Sequence, residues 1–590
     1  MPHLFSQGGM TMRMVKLLAG TCAAVLALSG ATAWAQVTPD RLLAAGTEAE
    51  AGNWLMVHKT YDSNRFSTLN EINASNVAGL RVVTAATIGG TEPGGFGVGS
   101  VETTPLADNG FLYVSDPWGT PYKFDVSDGK SAKLVWTCDT GVEKDPTYSV
   151  ILANRGLALS GKNVITGLGN GHVVACDSET GDVVWDKQVG TNGEGFTAAP
   201  LVVGDKILIS NSLGDWATRG FLAALKADTG DELWRTYAVP EPGQPGSETW
   251  KCDEAGNPDC WKTGGGGMWV TGAYDPATNT TYWGTGNPVP MYDPEYRPGD
   301  NLYTNSTLAI DVDTGKLKWH FQYTPGDYMD YDEVGPQLLL DTKINGEDRK
   351  VLAHFGRNGI FYDLDRTTGA YIQSGQYVTK LTWTKGIDPK TGMPLEYDPT
   401  KSLQTYAMGK IDRAGAKATT CPNIQGGSNF FPTGYNPTLG IAYAVGIEGC
   451  SDLSVKTVAP ADVVPGQIFI GGAGTNSGVQ TGTVNAIDVT TGKQVAQKAT
   501  PFPMYSGVLA TSDLVWAGSL DGTFAAYDAK TLDVKWSMNV GTSFQGSPIA
   551  FNAGGKEYIA IVGGGIGIAA FGHPELEGIS AANVLWVFGL

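Results

Sequence analysis

Ala175–Trp185, with the sequence ACDSETGDVVW, is the stretch that decides the fold, because close copies of it recur along the chain. The copies are ALKADTGDELW at 224–234, AIDVDTGKLKW at 309–319 and AYDAKTLDVKW at 526–536, with weaker ones around Gly129, Gly369 and Gly492. Each unit reads as a strand, a turn in which Gly supplies positive φ, and a second strand carrying a large aromatic residue. One β unit repeated at roughly 50 residues is typical of a repeat architecture.

A propeller built from four-stranded units explains this spacing best, because each unit buries its faces only against its neighbours. Seven units are visible, and the stretch 431–445 is the candidate for a degenerate eighth. Tandem β-sandwiches are the alternative, but no stretch of the chain resembles an interdomain linker. We therefore expect one all-β propeller domain over residues 36–590.

Composition agrees with an all-β fold, since Gly is abundant at 80 residues and charged residues are few at 17%. Short Val, Ile, Tyr and Trp runs are separated by Gly, Asn and Asp throughout. At the N-terminus, Arg13 and Lys16 precede an apolar run and the segment Ala33-Trp34-Ala35, which is the pattern of a secretory signal peptide. We expect residues 1–35 to be that signal and the mature protein to be periplasmic. No later apolar run approaches the ~20 residues of a membrane span.

The chain is acidic, and its formal net charge of −19 becomes −21 when Arg13 and Lys16 leave with the signal. Such a charge argues against nucleic acid as a partner and suits a basic protein. Six cysteines remain after Cys22 is removed, an even number for an oxidising compartment. We expect Cys252 to pair with Cys260 and Cys421 with Cys450, whereas Cys138 and Cys176 are either linked or buried thiols. No C-x-x-C-H motif occurs, so no covalent haem is expected.

The acidic turn 319–333 is the candidate site for chemistry. Asp330 and Asp332 are two residues apart, so in an extended segment their carboxylates would point to the same side. Two such carboxylates repel unless a cation lies between them or one is protonated. The six histidines form no H-x-x-H or E-x-x-H pair, which leaves a hard cation on oxygen ligands. A solvated acidic loop is the alternative reading.

From about Trp54 to Phe571 the chain resembles a family, the pyrroloquinoline quinone (PQQ)-dependent alcohol dehydrogenases of the methanol and ethanol dehydrogenase type. The resemblance rests on YDSNRFS at 61–67, WGTGNP at 283–288 with RPGDN at 297–301, and the acidic turn, which matches the catalytic turn of the family. It implies an eight-bladed β-propeller whose repeats dock through their tryptophans. It also implies hydride transfer from an alcohol to PQQ and a separate c-type cytochrome as electron acceptor.

The resemblance assigns roles to twelve positions of this chain. The implied cofactor contacts are Glu102 and Arg155 near the quinone carboxylates, the hydroxyl donors Thr197 and Ser212, the stacking indole of Trp269, Arg357 beside the reactive oxygens, and Asn429 and Tyr505. The implied general base is Asp330, and the implied ligands of one Ca²⁺ or lanthanide(III) ion are Asp215, Asn287, Asp330 and Asp332. A flat tricarboxylate does need an aromatic floor and arginine donors.

Three features of this sequence bear on substrate and metal. Asp215 replaces a glutamate that is usual in the family, and Asp332 is shared with the lanthanide-using members. Acids at this place also occur in members that use calcium or magnesium, and a hydrogen bond from Asp332 to a nearby arginine is the alternative role. Ser149 and Val150 stand where the family often has two adjacent cysteines that cover the cofactor. A wider entrance follows, so we expect a primary or secondary alcohol larger than methanol. The alternatives are a PQQ-dependent sugar or polyol dehydrogenase, and a cofactor-free propeller scaffold of the outer-membrane assembly type.

Overall fold

Short antiparallel sheets follow one another along the chain. The structure is a computed structural model that describes residues 36–94, 97–144, 152–191, 193–566 and 572–590. Within these residues eight sheets have four or five strands. The strands of sheets 1 to 4 are Leu106–Asp108, Phe111–Ser115, Pro121–Asp125 and Lys133–Thr137; Ala158–Ser160, Asn163–Gly167, His172–Asp177 and Val183–Gln188; Leu201–Val203, Lys206–Ser210, Phe221–Lys226 and Glu232–Tyr237; Ala273–Asp275, Thr280–Gly284, Ser306–Asp311 and Leu317–Gln322.

Sheets 5 to 8 continue the same order. Their strands are Leu338–Ile344, Glu347–Phe355, Ile360–Asp365 and Tyr371–Gln376; Ala418–Thr420, Gly434–Asn436, Ile441–Val455, Gly472–Asp488 and Lys493–Thr500; Leu509–Ala510, Leu514–Gly518, Thr523–Asp528 and Val534–Asn539; Ile549–Ala553, Lys556–Gly563 and Val584–Gly589 together with Arg81–Thr87. In sheet 3 the first strand is fully buried, the second and third are largely buried and the fourth has no buried residue, so the core covers the first three strands and the fourth faces outward. The fold is all-β and of the propeller type.

Smaller elements complete the described chain. Two strand pairs are Pro93–Gly94 with Gly97–Val98, and Ser100–Thr104 in parallel with Ala153–Gly156. The helices are Pro39–Leu43, an α-helix, and the 3₁₀ turns Glu48–Glu50, Val77–Gly79, Ser247–Thr249, Cys252–Ala255, Cys260–Thr263, Pro294–Tyr296, Pro460–Asp462 and Pro574–Leu576. Across the described ranges, no helix has both the length and the apolar character needed to cross a membrane.

The repeated turns form because Asp caps them and Gly completes them. In the unit at 175–185, Asp177 Oδ1 accepts hydrogen bonds from the backbone N–H groups of Glu179 at 2.8 Å and Thr180 at 3.0 Å. The Gly181 N–H then donates to the Asp177 carbonyl at 2.8 Å. Gly181 has φ +80°, a conformation that costs a residue with a Cβ about 1–2 kcal/mol.

Four of the turn glycines, Gly181, Gly230, Gly315 and Gly369, also contact the tryptophan of the preceding unit, which docks one sheet on the next. A Cβ on Gly181 would lie 2.9 Å from the Trp136 indole, and one on Gly369 would lie 2.5 Å from Trp319. The indole N–H of Trp136 donates to the Ser178 carbonyl of the next sheet at 3.1 Å. Glycine is therefore required at these turns for two reasons: the backbone has positive φ, and an indole ring lies where a Cβ would be.

The expectation of a separate eighth unit at 431–445 is wrong. Gly434–Asn436 and the start of Ile441–Val455 belong to sheet 6, the same sheet as Lys493–Thr500 after the Gly492 turn. The eighth sheet instead joins Arg81–Thr87 to the C-terminal strands, with Arg81 opposite Gly589 and Thr87 opposite Val584. It carries no turn-and-tryptophan unit because its strands come from distant parts of the chain.

Three disulfides cross-link the described chain. The predicted pairs Cys252–Cys260 and Cys421–Cys450 are both present. Cys138 and Cys176, whose pairing the sequence left open, are also bonded and link the ends of sheets 1 and 2. Residues 1–35 and the positions of Ser149 and Val150 lie outside the described residues.

Candidate active site

One cavity of about 220 Å³ gathers eleven of the twelve residues singled out from the sequence. These are Glu102, Arg155, Thr197, Ser212, Asp215, Trp269, Asp330, Asp332, Arg357, Asn429 and Tyr505. The twelfth, Asn287, does not line the cavity but is buried behind it, and its backbone N–H donates to Asp332 Oδ1.

Strand direction explains why residues so far apart in sequence meet. From Thr197 onward, all of the residues except Asn429 lie in connections between two sheets or between the second and third strands of one sheet, and Asn429 lies between the first two strands of sheet 6. In an antiparallel sheet those two kinds of connection leave at the same end, opposite the Asp-Thr-Gly turns. The cavity therefore sits at one end of sheets 3 to 7, and the docking turns sit at the other end.

Arg155 organises one end of the cavity. Strand 153–156 pairs with strand 100–104 in parallel, which brings Arg155 Nη2 to 2.6 Å from Glu102 Oε2. Arg155 Nη1 donates to the Trp269 carbonyl at 3.0 Å and to the Thr197 hydroxyl. Its guanidinium carbon lies 4.7 Å from the ring centroids of both Trp269 and Phe430, so aromatic faces hold the cation on two sides.

Trp269 connects Arg155 to the acidic residues at the other end of the cavity. While its carbonyl accepts from Arg155, its indole N–H donates to Asp332 Oδ2 at 3.1 Å. The Gly264–Gly267 run before it packs against the turn that carries Asp215, where a Cβ on Gly220 would overlap the Gly266 carbonyl. Glycines are needed there because two backbones touch.

Asp330, Asp332 and Arg357 form the acidic end. Arg357 Nη2 lies 3.1 Å from Asp330 Oδ2, and Arg357 Nη1 lies 2.6 Å from Asp332 Oδ2. The segment is not extended, since Asp330 has φ +66°, yet both carboxylates reach the same guanidinium. A non-glycine residue in this region is uncommon and is frequent at functional sites.

Buried hydrogen bonds hold the turn in this shape. Asp327 accepts from the backbone N–H groups of Met329 and Tyr331, both at 3.0 Å, and Arg297 donates to the Asp327 carbonyl at 2.6 Å. Below the turn, Glu333 Oε2 accepts from the Arg357 backbone N–H at 3.0 Å and faces His354 Nε2 at 2.9 Å. The pair Glu333 and His354 thereby fixes two loops, the acidic turn and the loop that carries Arg357. Sequence reasoning did not predict this pair.

Burial dominates the electrostatics of the three carboxylates. Burial and the nearby Asp332 raise the pKa of Asp215 to about 7, against the hydrogen bond from Asn287. Burial, opposed by Arg357, also raises the pKa of Asp332, and it raises that of Asp330 well above its ordinary value. Burial and mutual repulsion thus disfavour the state in which all three acids are ionised around one guanidinium, and a cation held between them would lower these pKa values.

The donor set fits a hard cation in its chemistry. Asn287, Asp330 and Asp332 are buried and Asp215 is partly buried, and all four offer oxygen ligands, which Ca²⁺ and similar ions prefer. As described, the chain contains no group of three or more His, Cys, Asp or Glu side chains arranged to hold a metal ion. Arg357 joins Asp330 to Asp332 instead.

Several cavity residues carried no signal that singled them out in the sequence. They are Ser100, Leu213, Trp216, Gln425, Phe430 and Gln545. Phe430 follows Asn429, and Trp216 follows Asp215, so adjacency to a recognised position was the only available clue. Phe430 packs against the Tyr505 ring with centroids 5.9 Å apart and continues the aromatic wall from Trp269.

Comparison with known proteins shows which family the chain resembles. The family model described as PQQ, glucose/ethanol/alcohol dehydrogenase, beta-propeller domain, matches residues 54–374. The quinoprotein alcohol dehydrogenase PedH of Pseudomonas putida is 33% identical over 549 residues, covering 89% of this chain and 89% of the relative. Methanol dehydrogenase [cytochrome c] subunit 1 of Methylorubrum extorquens is 32% identical and covers 88% and 85%.

Among solved structures, one titled europium-containing methanol dehydrogenase superposes with a TM-score of 0.83 at 27% identity, over 93% of this chain and 100% of that one. The fold, the cavity and the sequence relatives thus point to one conclusion. The chain belongs to the PQQ-dependent alcohol dehydrogenase family of oxidoreductases.

Proposed function

We propose that this protein oxidises a primary or secondary alcohol larger than methanol to the aldehyde or ketone, with PQQ and one Ca²⁺ or lanthanide(III) ion as cofactors. The observation that carries the proposal is the single cavity in which Trp269 links Arg155 to the pair Asp330 and Asp332. A basic, aromatic end for a carboxylated ring system thus adjoins an acidic end that suits a cation and an alcohol.

PQQ, when bound, supplies the two-electron acceptor for the reaction. Trp269 would support its plane, while Arg155 and Glu102, with the hydroxyls of Thr197 and Ser212, would receive its carboxylate end. Arg357 would face the reactive oxygens, and Asn429 and Tyr505 would contact the rim. The Ser212 hydroxyl already accepts from the Thr197 backbone N–H at 2.9 Å, so these two donors are mutually positioned.

Asp215, Asn287, Asp330 and Asp332 would hold the ion, which supplies Lewis acidity. Three carboxylates with one neutral amide oxygen favour a trivalent ion on charge count, although Arg357 compensates one of these charges. We propose a site that accepts calcium and lanthanides. Burial raises the pKa values of Asp215 and Asp332, and a cation between these carboxyls would relieve that cost, which supports this proposal.

Asp330 is the proposed general base. Its carboxylate accepts the hydroxyl proton of the alcohol, while the hydrogen on the carbinol carbon departs as hydride with its electron pair. Arg357, 3.1 Å from Asp330, holds the carboxylate oriented and balances its charge. Because Asp330 is only 7% exposed, water has little access to compete for the base.

The proposals for the substrate size and the electron acceptor are based on the sequence. The Ser149 and Val150 substitutions favour a larger alcohol, and the lack of a C-x-x-C-H motif calls for a separate c-type cytochrome. Leu213 and Trp216 add apolar surface to the cavity beside Asp215, which suits an alkyl or aryl chain. A sugar or polyol would instead need polar partners. A cofactor-free scaffold would have no use for this cavity.

Three proposals concern the molecule as a whole. Residues 1–35 are a signal peptide, residues 36–590 form one propeller domain, and the eight sheets are its eight blades. Three disulfides suit a periplasmic location because the periplasm is oxidising. The pairing of Arg81–Thr87 with the C-terminal strands supports a ring closed by the two chain ends.

Asp330→Asn tests the proposed function. The amide keeps the size of the side chain but cannot accept the proton, so we expect dye-linked turnover to fall by a factor of about 10² or more. PQQ binding, followed by its absorption band, should remain close to that of the wild type. An Asp330→Asn protein that kept wild-type kcat would contradict the role of Asp330. A wild-type protein that bound no PQQ in the presence of Ca²⁺ or La³⁺ would contradict the whole proposal.

A further inference from the structure

A second, very small cavity lies beside the basic end of the active-site cavity. Its volume is about 10 Å³, and His58, Glu102, Thr104, Arg155, Thr271 and Phe430 are among the residues that line it. Glu102, Arg155 and Phe430 line both cavities, so the small one lies directly behind the side chains proposed to receive the cofactor.

Two buried polar atoms around this small cavity, His58 Nδ1 and Arg155 Nε, have neither a hydrogen-bond partner nor an ion-pair partner among the described residues. A third atom without a hydrogen bond, Glu102 Oε2, is in an ion pair with Arg155 Nη2 at 2.6 Å. His58 Nε2 lies 3.1 Å from the Thr271 carbonyl, which can only accept, so Nε2 carries the proton and Nδ1 is an acceptor. Arg155 Nε always carries a proton and is a donor. The two unpaired atoms are therefore complementary.

Leaving both atoms unpaired is unfavourable, because a buried donor or acceptor without a partner loses its hydration and gains nothing in return. The small cavity is large enough for about one water molecule, whose presence needs a polar site with two to four partners. A water there accepts from Arg155 Nε–H and donates to His58 Nδ1. Its second hydrogen is available to the oxygens of Glu102 or Thr104 on the cavity wall.

We propose that His58 is a positioning residue for the cofactor carboxylate end, and that it acts through one buried water on Arg155. The effect on cofactor binding rests on the proposed function, whereas the water site itself does not. Arg155 already has Nη1 and Nη2 engaged by Thr197, Trp269 and Glu102. Fixing Nε as well sets the rotation of the guanidinium between its two aromatic neighbours, so its face toward the cofactor is pre-organised.

The surroundings keep His58 suited to this role. It is 4% exposed, and burial together with the charge of Arg65 lowers its pKa to about 3. The imidazole thus stays neutral, and Nδ1 remains an acceptor, at every pH where the enzyme would work. No sequence motif marked His58, because its partner is a side chain 97 positions later that the fold brings near.

Two conservative variants separate this role from a merely structural one. In His58→Asn the amide oxygen can take the place of Nδ1 and keep the water, while the bond to Thr271 is lost. In His58→Gln the amide N–H can take the place of Nε2 and keep the bond to Thr271, while the acceptor for the water is lost. We expect His58→Gln to weaken PQQ binding about tenfold, and His58→Asn to bind PQQ within about twofold of the wild type.

PQQ affinity is measured by titration of the metal-loaded protein, with quenching of tryptophan fluorescence as the readout, and thermal unfolding midpoints report folding. Equal affinities for both variants, or a weaker Asn than Gln variant, would overturn the proposal. A crystal structure of the wild-type protein decides it even if the variants fail to fold. Density for a water between His58 and Arg155 supports the proposal, and an empty or apolar contact there refutes it. If PQQ does not bind at all, the proposed function fails while the crystal structure still tests the water site.

Discussion

Among single residues, Asp332 bears most directly on the choice of metal. It accepts from Arg357, Trp269 and the Asn287 backbone, so its position is fixed by three donors. In Asp332→Asn one negative charge is lost, and the amide keeps only one accepting oxygen, so its N–H₂ group must face at least one of these donors. Because a trivalent ion depends more on that charge, we expect La³⁺-supported activity to fall at least tenfold and Ca²⁺-supported activity to fall less. Dye-linked assays after reconstitution with PQQ and either ion measure the difference.

Trp269→Phe is the matched control for that experiment. It removes the indole donor to Asp332 but leaves the charge and an aromatic floor in place. If the Asn variant acted only through lost hydrogen bonding, the Phe variant would reproduce its metal preference. Unchanged La³⁺ activity in Asp332→Asn would mean that Asp332 is not a ligand, and calcium would then be the expected ion.

At the scale of the repeated element, the contact between turn glycine and tryptophan can be separated from the cost of positive φ. Gly315 has φ +69°, and a Cβ on it would lie 2.6 Å from the Trp234 indole. Gly346 has φ +83°, but a Cβ on it would meet no atom within 4 Å. We expect Gly346→Ala to cost about 1–2 kcal/mol of stability from backbone strain alone. Gly315→Ala should cost about 1–3 kcal/mol more because the indole must move.

Thermal unfolding of both variants, under the same buffer and metal conditions, measures this difference. The Trp234 indole N–H also donates to the Val312 carbonyl at 2.9 Å, so displacement of the ring breaks a second contact between sheets 3 and 4. Equal melting temperatures for the two variants would show that tryptophan docking contributes nothing at this turn.

Units such as Ala175–Trp185 were predictable because their determinants are local. Asp177, Thr180 and Gly181 fix one turn through neighbouring backbone groups, so the pattern is visible in eleven letters. Sheet 8 was not predictable in this way, because Arg81–Thr87 pairs with strands almost 500 residues later. The long strands Ile441–Val455 and Gly472–Asp488 also hid the spacing of sheet 6, which misplaced the expected eighth unit.

For the molecule as a whole, the resemblance to a family supplied what local patterns could not. It named residues from Glu102 to Tyr505, and the structure brings eleven of the twelve to one cavity. Contacts that depend on this convergence escaped prediction. The pairing of Glu333 with His354 joins separate loops, and no periodicity in the sequence encodes such a contact.

Net charge leads to the last prediction, which concerns electron transfer to a protein acceptor. The formal charge of −19, or −21 without residues 1–35, creates a field that attracts a positively charged partner over a distance set by the ionic strength. We expect the second-order rate of reduction of a basic c-type cytochrome to fall at least tenfold from low to high salt. Activity with a phenazine dye under the same conditions serves as the control and should change little, because its encounter with the enzyme does not depend on a large complementary charge. Stopped-flow measurement of cytochrome reduction gives the rate. A rate that did not fall with salt would show that the acidic surface does not steer the acceptor, and reduction of NAD in place of the dye would contradict the assignment of the electron path.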